Sequence, residues 1–338
     1  MSLPLLTLLA ACNAILGYGD FVKIDGEPGG SGGDGGKLPT DPTTNPTTDP
    51  TTVPTTPPSG TMCKDATPWG APVAVQGANT TLNEFIPSLS GDELAIVWQG
   101  PIGNGDQNPL MLAQRTAVGS PFGAATAATG LTAGRNSGAS LSADGLTIFY
   151  HNLNGNRSLL IPYSARRAST TATAFTGAGP LANQGGNGLD TMNPHVSRDG
   201  LELFVLRATP PPDNSSPPGD RSIWHAMKSG NDFAAATAFA ELGVGVTGDV
   251  STVALSADRL TLYFSADRSG GVGGYDIWAT SRATPTSPFG APAQTSLAAV
   301  NTASAEDIGF VSTDNCRLYF SSNRGGASDD VFVSTRQP

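Results

Sequence analysis

The sequence predicts an all-β chain folded as a five-bladed β-propeller of four-stranded antiparallel blades, and three recurring observations predict it. One phrase occurs five times: an apolar residue, Ser, any residue, Asp and an alternating apolar strand, as LSGDELAIVW, LSADGLTIFY, VSRDGLELFV, LSADRLTLYF and VSTDNCRLYF. Its aspartates, Asp92, Asp144, Asp199, Asp258 and Asp314, stand 52, 55, 59 and 56 residues apart, the period of one blade per repeat. Downstream of each, a further strand ends on a basic residue: Arg115, Arg166, Lys228, Arg282 and Arg336. An aromatic followed by small residues is the third marker, at Trp69, Phe122, Phe175, Phe233 and Phe289.

Each blade follows from local chemistry. The short mixed segments before Ser-x-Asp (85–89, 137–141, 192–196, 251–255 and 308–311) suit an innermost strand. Ser-x-Asp-Gly is turn chemistry, because Asp bonds its own backbone and Gly accepts positive φ. A strand of period two follows, such as Leu260 to Phe264, then a Gly-rich loop and a third strand, as at Asp276 to Ala279 and Asp330 to Val333. The fourth strand begins near the aromatic marker.

The order of the pieces says how the ring closes. Trp69 is a fourth-strand marker with no Ser-x-Asp phrase before it, and the fifth repeat ends at Pro338 after its third strand. The N-terminal strand is therefore expected to join the last blade, leaving only short edges. Cys63 lies just before that strand, and Cys316 stands where the other repeats have Leu94, Leu146, Leu201 and Leu260. A Cys63–Cys316 disulfide would lock the ring; an unpaired Cys316 would instead fill a Leu-shaped core position.

The first 62 residues cannot build a core. Residues 1–11 are uncharged and apolar-rich, too short for a membrane span, and Leu9-Ala10-Ala11-Cys12 resembles a bacterial lipoprotein signal, with Cys12 as the lipidated residue. No Lys or Arg precedes Cys12, so a start upstream is expected. Residues 12–62 read as a disordered tether: Gly-rich over 29–36, then Pro-Thr-Thr repeats over 40–58 that favour polyproline II. Residues 63–338 are left for the propeller. Export to the outer membrane, with anchoring through Cys12, is the expected location, and an oxidising compartment favours the disulfide.

The repeats carry a resemblance. LSADRLTLYFSADRSGGVGGYDIWATSR and VSTDNCRLYFSSNRGGASDDVFVSTR are similar to the TolB-like, WD-like β-propeller repeat of bacterial envelope proteins. The likeness runs from about residue 65 onward, roughly four fifths of the chain. It implies a propeller, and a partner that is a protein or another component of the envelope.

Composition narrows the function. With net charge −10 and 14 % charged residues, the chain has no basic footprint for nucleic acid. The five motif aspartates read as turn residues. His151, His195 and His225 lack ligand spacing, so no metal is expected; no nucleophile elbow or phosphate loop occurs, and no cofactor is expected. One constellation remains. Counting back four or five places from the inner-strand positions Ser88, Ser140, His195, Ala254 and Phe310 gives Glu84, Arg135, Asp190, Asp249 and Glu306. These would converge on one mouth of the ring, with His195 in the same tunnel, as a site for a cation, an amine or a basic peptide. Solvated strand ends are the plainer alternative. The expectation is a monomeric, lipid-anchored, non-enzymatic binding or scaffold module, set against a glycosidase or lyase using Glu84, Asp190, Asp249 or Glu306.

Overall fold

A computed structural model describes residues 62–338, apart from residue 66 and residues 101–108, 154–158, 186–187, 211–219, 240–247 and 327. The expected signal at 1–11, Cys12 and the tether as far as residue 61 lie outside the described residues. The chain forms five antiparallel blades in a ring. Blade 1 holds β2 (Phe85–Leu89), β3 (Ala95–Gln99), β4 (Leu110–Gln114) and β5 (Thr126–Ala127). Blade 2 holds β6 (Arg135–Leu141), β7 (Thr147–Leu153), β8 (Ile161–Arg167) and β9 (Phe175–Pro180). In blade 3, β10 (Asp190–Val196), β11 (Glu202–Ala208) and β12 (Ser222–Ser229) are followed by β13 (Asp232–Phe233) and β14 (Thr237–Ala238), both on β12. Blade 4 has β15 (Gly248–Leu255), β16 (Thr261–Arg268) and β17 (Asp276–Ser281), with its fourth place taken by the bridge Ala279–Ala293.

Blade 5 is assembled from both ends of the propeller. Behind β18 (Glu306–Val311), β19 (Arg317–Ser322) and β20 (Asp330–Thr335) comes β1 (Val73–Ala74), pairing Val73 with Val333 and Ala74 with Phe332. The Cys63–Cys316 disulfide is formed across 253 residues, with the Cα atoms 5.1 Å apart. The core lies between blades, in five clusters. Met192, Phe204 and Leu206 of blade 3, for example, pack on Val253, Leu262 and Phe264 of blade 4, and Ala254 and Tyr263 of blade 4 on Ile308, Phe320 and Trp69 of blade 5.

The three sequence markers meet in one contact. Asp258 Oδ1 accepts from the Ser256 hydroxyl at 2.6 Å and the Leu260 N–H at 3.0 Å, while the Ser256 hydroxyl accepts the Thr261 N–H at 2.9 Å. Asp92, Asp144, Asp199 and Asp314 repeat the turn. The residue after each Asp is left-handed: Gly145 and Gly200, but also Glu93 (φ 61°), Arg259 (φ 64°) and Asn315 (φ 58°). Its carbonyl accepts from the Nε of Arg115, Arg167, Arg282 or Arg336 at 2.7–2.8 Å. The same guanidinium lies over the aromatic marker of its blade, 4.4 Å from Phe289 and 4.3 Å from Trp69. In repeat two the residue in this role is the buried Arg167, not the Arg166 that the sequence pattern picks out; Arg166 is exposed and only 3.6 Å from Asp144. Strand alternation separates the two neighbours.

Arg167→Lys is expected to lose the fork and stack for about 1–2 kcal/mol, whereas Arg166→Lys stays within about 0.5 kcal/mol of the parent. Urea melts of the two variants check this. Replacing both Cys63 and Cys316 by Ala should lower stability by up to about 5 kcal/mol on the chain-entropy account, read as the shift in urea midpoint between the variant and the oxidised parent.

Candidate functional site

Every inner strand carries a bulge just before its last residues, between Phe85 and Ser88, Ser137 and Ser140, Met192 and His195, Val250 and Thr252, and Ile308 and Phe310. A bulge adds one residue to one strand and re-aims the side chains beyond it. The five charges selected by counting back therefore belong to two neighbouring positions that point to different surroundings. Glu84 and Glu306 share one; Arg135, Asp190 and Asp249 share the other.

Both positions serve as latches. The Glu84 carboxylate accepts the Thr80 N–H at 3.3 Å and its hydroxyl at 2.5 Å, and Glu306 accepts the Thr302 N–H at 2.9 Å and hydroxyl at 2.6 Å, with Arg324 at 3.1 Å. Asp190 and Asp249 reach the preceding blade, where their Oδ1 atoms accept the backbone N–H groups of Leu160 at 2.8 Å and Arg221 at 2.7 Å. Asn83 does the same in blade 1, taking the Asp329 N–H at 2.9 Å. Glu84, Asp190 and Glu306 are almost wholly buried. Arg135 opens β6 opposite Leu153 and is half-buried. The ring does not gather these five into an open circle of charge.

His195 is half-buried beside the axis, and its Nε2 accepts the Leu255 N–H at 3.0 Å, tying blade 3 to blade 4. Burial and then the charge of Arg198 lower its pKa to about 3, so it stays neutral with the proton on Nδ1. The axial cavity beside it, lined by Ile86, Gly138, Asn193, His195, Thr252 and Gly309, measures about 10 Å³, room for one water. At the turn end, the Arg198 guanidinium stacks 3.9 Å from the Phe310 ring and donates to the carbonyls of Leu89 and Val311 at 3.3 and 3.4 Å.

At the other end a row of acids runs along the edges of blades 4, 5 and 1. Asp307 is 4 % exposed, takes one hydrogen bond from the Ser251 hydroxyl, and has its pKa raised to about 6 by burial and, secondarily, the charge of Asp249. Asp329 is 7 % exposed, and among the described residues no hydrogen bond reaches its carboxylate. Burial first, then the like charges of Asp307, Asp330 and Glu84, raise its pKa to about 7. Asp249 is the opposite case. Burial would raise its pKa, but the paired hydrogen bonds and charge of Arg221, with the Tyr275 hydroxyl at 2.6 Å, outweigh that and hold it below the ordinary carboxylate range. Its side chain is 23 % exposed. Proton-holding and ionised carboxylates thus share one mouth, the arrangement that separates acid from base roles.

Sequence reasoning reached Glu84 and Asp249, at the two ends of this row, and missed Asp307, Asp329, Tyr275 and Arg221. Register shows the signal it lacked. Arg221, Tyr275 and Asp329 each stand immediately before the third strand of blades 3, 4 and 5, where blades 1 and 2 have Pro109 and Leu160.

No protein-family model matches the chain, and no curated protein matches it. Solved structures do share its fold. A putative TolB from Agrobacterium tumefaciens is 13 % identical over 78 % of this chain and 79 % of that one, at a TM-score of 0.44. The catalytic domain of a GH62 α-L-arabinofuranosidase from Coprinopsis cinerea is 12 % identical over 80 % of this chain and 97 % of its own, at a TM-score of 0.50. The α-L-arabinofuranosidase PaAbf62A from Podospora anserina, solved with cellotriose, is 10 % identical over the same 80 % and 97 %, at 0.51. The two arabinofuranosidase likenesses show the fold, and they overturn the expectation of a non-enzymatic module: in the Coprinopsis cinerea protein the similar ring is a catalytic domain.

Asp329 has a signed consequence for stability. Its folded pKa lies above the unfolded value, so the proton it holds contributes stability that is fully present below about pH 4 and lost as pH rises through about 7. Asp329→Asn should equal the parent near pH 4 and exceed it near pH 8 by on the order of 2 kcal/mol. Thermal melts at the two pH values decide it.

Proposed function

We propose that the chain is a glycoside-cleaving enzyme whose site is the acidic mouth. The observation that carries this reading is the contrast between Asp329, with a free carboxyl poised near neutral pH, and Asp249, held ionised by Arg221 and Tyr275. Glycoside cleavage requires that pair: one carboxylic acid to protonate the departing oxygen and one carboxylate to face the oxocarbenium-like centre. Asp329 gives its proton to the glycosidic oxygen as the C–O bond breaks. Asp249 takes a proton from the water that adds to the anomeric carbon, and proton return to Asp329 through solvent completes a net consumption of one water. Asp307, whose charge acts on Asp329, keeps the Asp329 proton in place. The use of this ring as an arabinofuranosidase catalytic domain supports the reading.

The same proposal places the enzyme in the bacterial envelope, exported and anchored to the outer membrane by lipid on Cys12, with residues 12–62 as its tether and a glycan of the envelope as its partner. The Leu9-to-Cys12 pattern and the disulfide, favoured by an oxidising compartment, support it. Labelling of the full chain by a fatty-acid analogue, lost in Cys12→Ala, is the expected result; equal labelling of both proteins removes the anchor.

Turnover of a panel of aryl glycosides should fall about 10²–10⁴-fold in Asp329→Asn and in Asp249→Asn, with unchanged circular dichroism. The rate should decline as pH rises through about 7, where Asp329 loses its proton, and its acid limb should lie below the ordinary carboxylate range because Asp249 stays ionised there. Activity that survives in both variants refutes the assignment.

A further inference from the structure

We infer that the axial cavity is a binding site for one resident water, held by His195, Thr252 and Asn193, which braces blade 3 against blade 4 at the centre of the ring. The inference is independent of the glycoside assignment. The cavity lies where the bulged inner strands meet, and each of the five contributes a lining residue: Ile86, Gly138, Asn193, Thr252 and Gly309. Gly138 keeps the space open. It is left-handed at φ 57°, and a Cβ at this position would stand 1.9 Å from Asn193 Oδ1. The volume of about 10 Å³ takes a single water and nothing larger.

Volume alone does not make a water site, since cavities lined only by apolar groups stay dry. Here three polar groups are unspent. Thr252 is 1 % exposed, and its hydroxyl has no hydrogen-bond partner among the described residues. His195 accepts the Leu255 N–H at Nε2, which leaves the Nδ1 proton without an acceptor among the described residues. Asn193 donates from Nδ2 to the Ser251 carbonyl at 2.7 Å, and no described group donates to its Oδ1. One donor, one acceptor and one hydroxyl that can be either are the complement of a water. The water accepts from Nδ1–H, donates to Oδ1 and shares its third bond with the Thr252 hydroxyl. Without it, each of these groups would bear the cost of lost hydration uncompensated. A metal cation is excluded by the N–H aimed at it and by the charge of Arg198, which acts on the same imidazole. His195 and Asn193 belong to β10 and Thr252 to β15, so the three bonds span two blades. The Ser251 hydroxyl also donates to Asp307, and the water thus stands at the axial end of a series of bonded groups that reaches the acid mouth.

The test is nuclear magnetic resonance of the full chain carrying 15N-histidine, with the His195 signal identified by its loss in His195→Asn. The His195 proton should sit on Nδ1 and show a cross-peak to water of the sign that marks a long-lived bound molecule. Thr252→Ser, which keeps the hydroxyl, should retain that cross-peak. Thr252→Val, close in shape but without the hydroxyl, should weaken it severalfold and lower the urea midpoint, because one bond to the water is lost. In a dry cavity the sign reverses: removing an unpaired buried hydroxyl raises the midpoint. A raised midpoint in Thr252→Val, a proton on Nε2, no water cross-peak in the parent, or a cross-peak of full strength in Thr252→Val overturns the inference.

Discussion

The structure depends on a latch between neighbouring blades. In four of the five blades the start of the inner strand is bonded, among the described residues, to the segment just before the third strand of the blade behind it. Glu84 N–H to the Asp329 carbonyl, Thr191 N–H to Leu160, Val250 N–H to Arg221 and Glu306 N–H to Tyr275 are successive instances at 2.7–3.2 Å. Because these bonds are backbone to backbone, they fix blade spacing whatever the side chains, and the apolar faces between blades then fill the wedge they define. Closure repeats the same logic covalently and by pairing. β1 completes the sheet of β20, Trp69 seats under Arg336, and the Cys63–Cys316 bridge prevents the two chain ends from parting.

Edges are treated with equal economy. Blade 4 has no regular fourth strand, yet the outer side of β17 is filled: Ser281 accepts from Gly290, Ala279 exchanges bonds with Ala293, and the Asn301 side chain bonds both the N–H and the carbonyl of Ile277. Asn79 treats Val331 of blade 5 in the same way. An amide side chain presents the donor and acceptor of a peptide group, so one asparagine substitutes for one residue of a missing strand. The free edge that would invite strand addition is thereby removed.

Ring size, closure, the disulfide and the turn aspartates were legible in the sequence because each recurs, or occupies a counted place, in a series of five. Phe122 and Phe289 mark the same contact as Trp69, and Cys316 stands in a Leu column. The mouth was legible only in part. Counting along a strand assumes unbroken alternation, and the bulges at Ile86–Pro87, Gly138–Ala139, Asn193–Pro194, Ser251 and Gly309 break it. Nothing in a single inner strand announces an added residue: Gly138 and Gly309 fill the place in two blades, while Ile86 and Asn193 adopt φ of 51° and 47° in others. The reach of Arg198 across the axis to Leu89 and Val311 was equally hidden, because it links three repeats that lie far apart in sequence.

Repetition also explains where chemistry is found. A feature present in all five blades answers to a requirement of the ring, whereas the side-chain latch recurs in three, at Asn83, Asp190 and Asp249. Chemistry needs the symmetry to fail. The position before the third strand is Pro109 and Leu160 in blades 1 and 2, then Arg221, Tyr275 and Asp329 in blades 3, 4 and 5. The inner-strand position five residues before the motif serine is Phe85, Ser137, Met192 and Ser251 before it becomes Asp307. Only on one side of the ring do both columns turn polar. Asp249, a latch like Asp190, is there met by a guanidinium and a phenol, while Asp329 is met by other carboxylates. The pKa contrast on which the proposed reaction rests is thus made by divergence among repeats over a backbone that stays the same, and the residues that break the five-fold pattern are the ones that carry it.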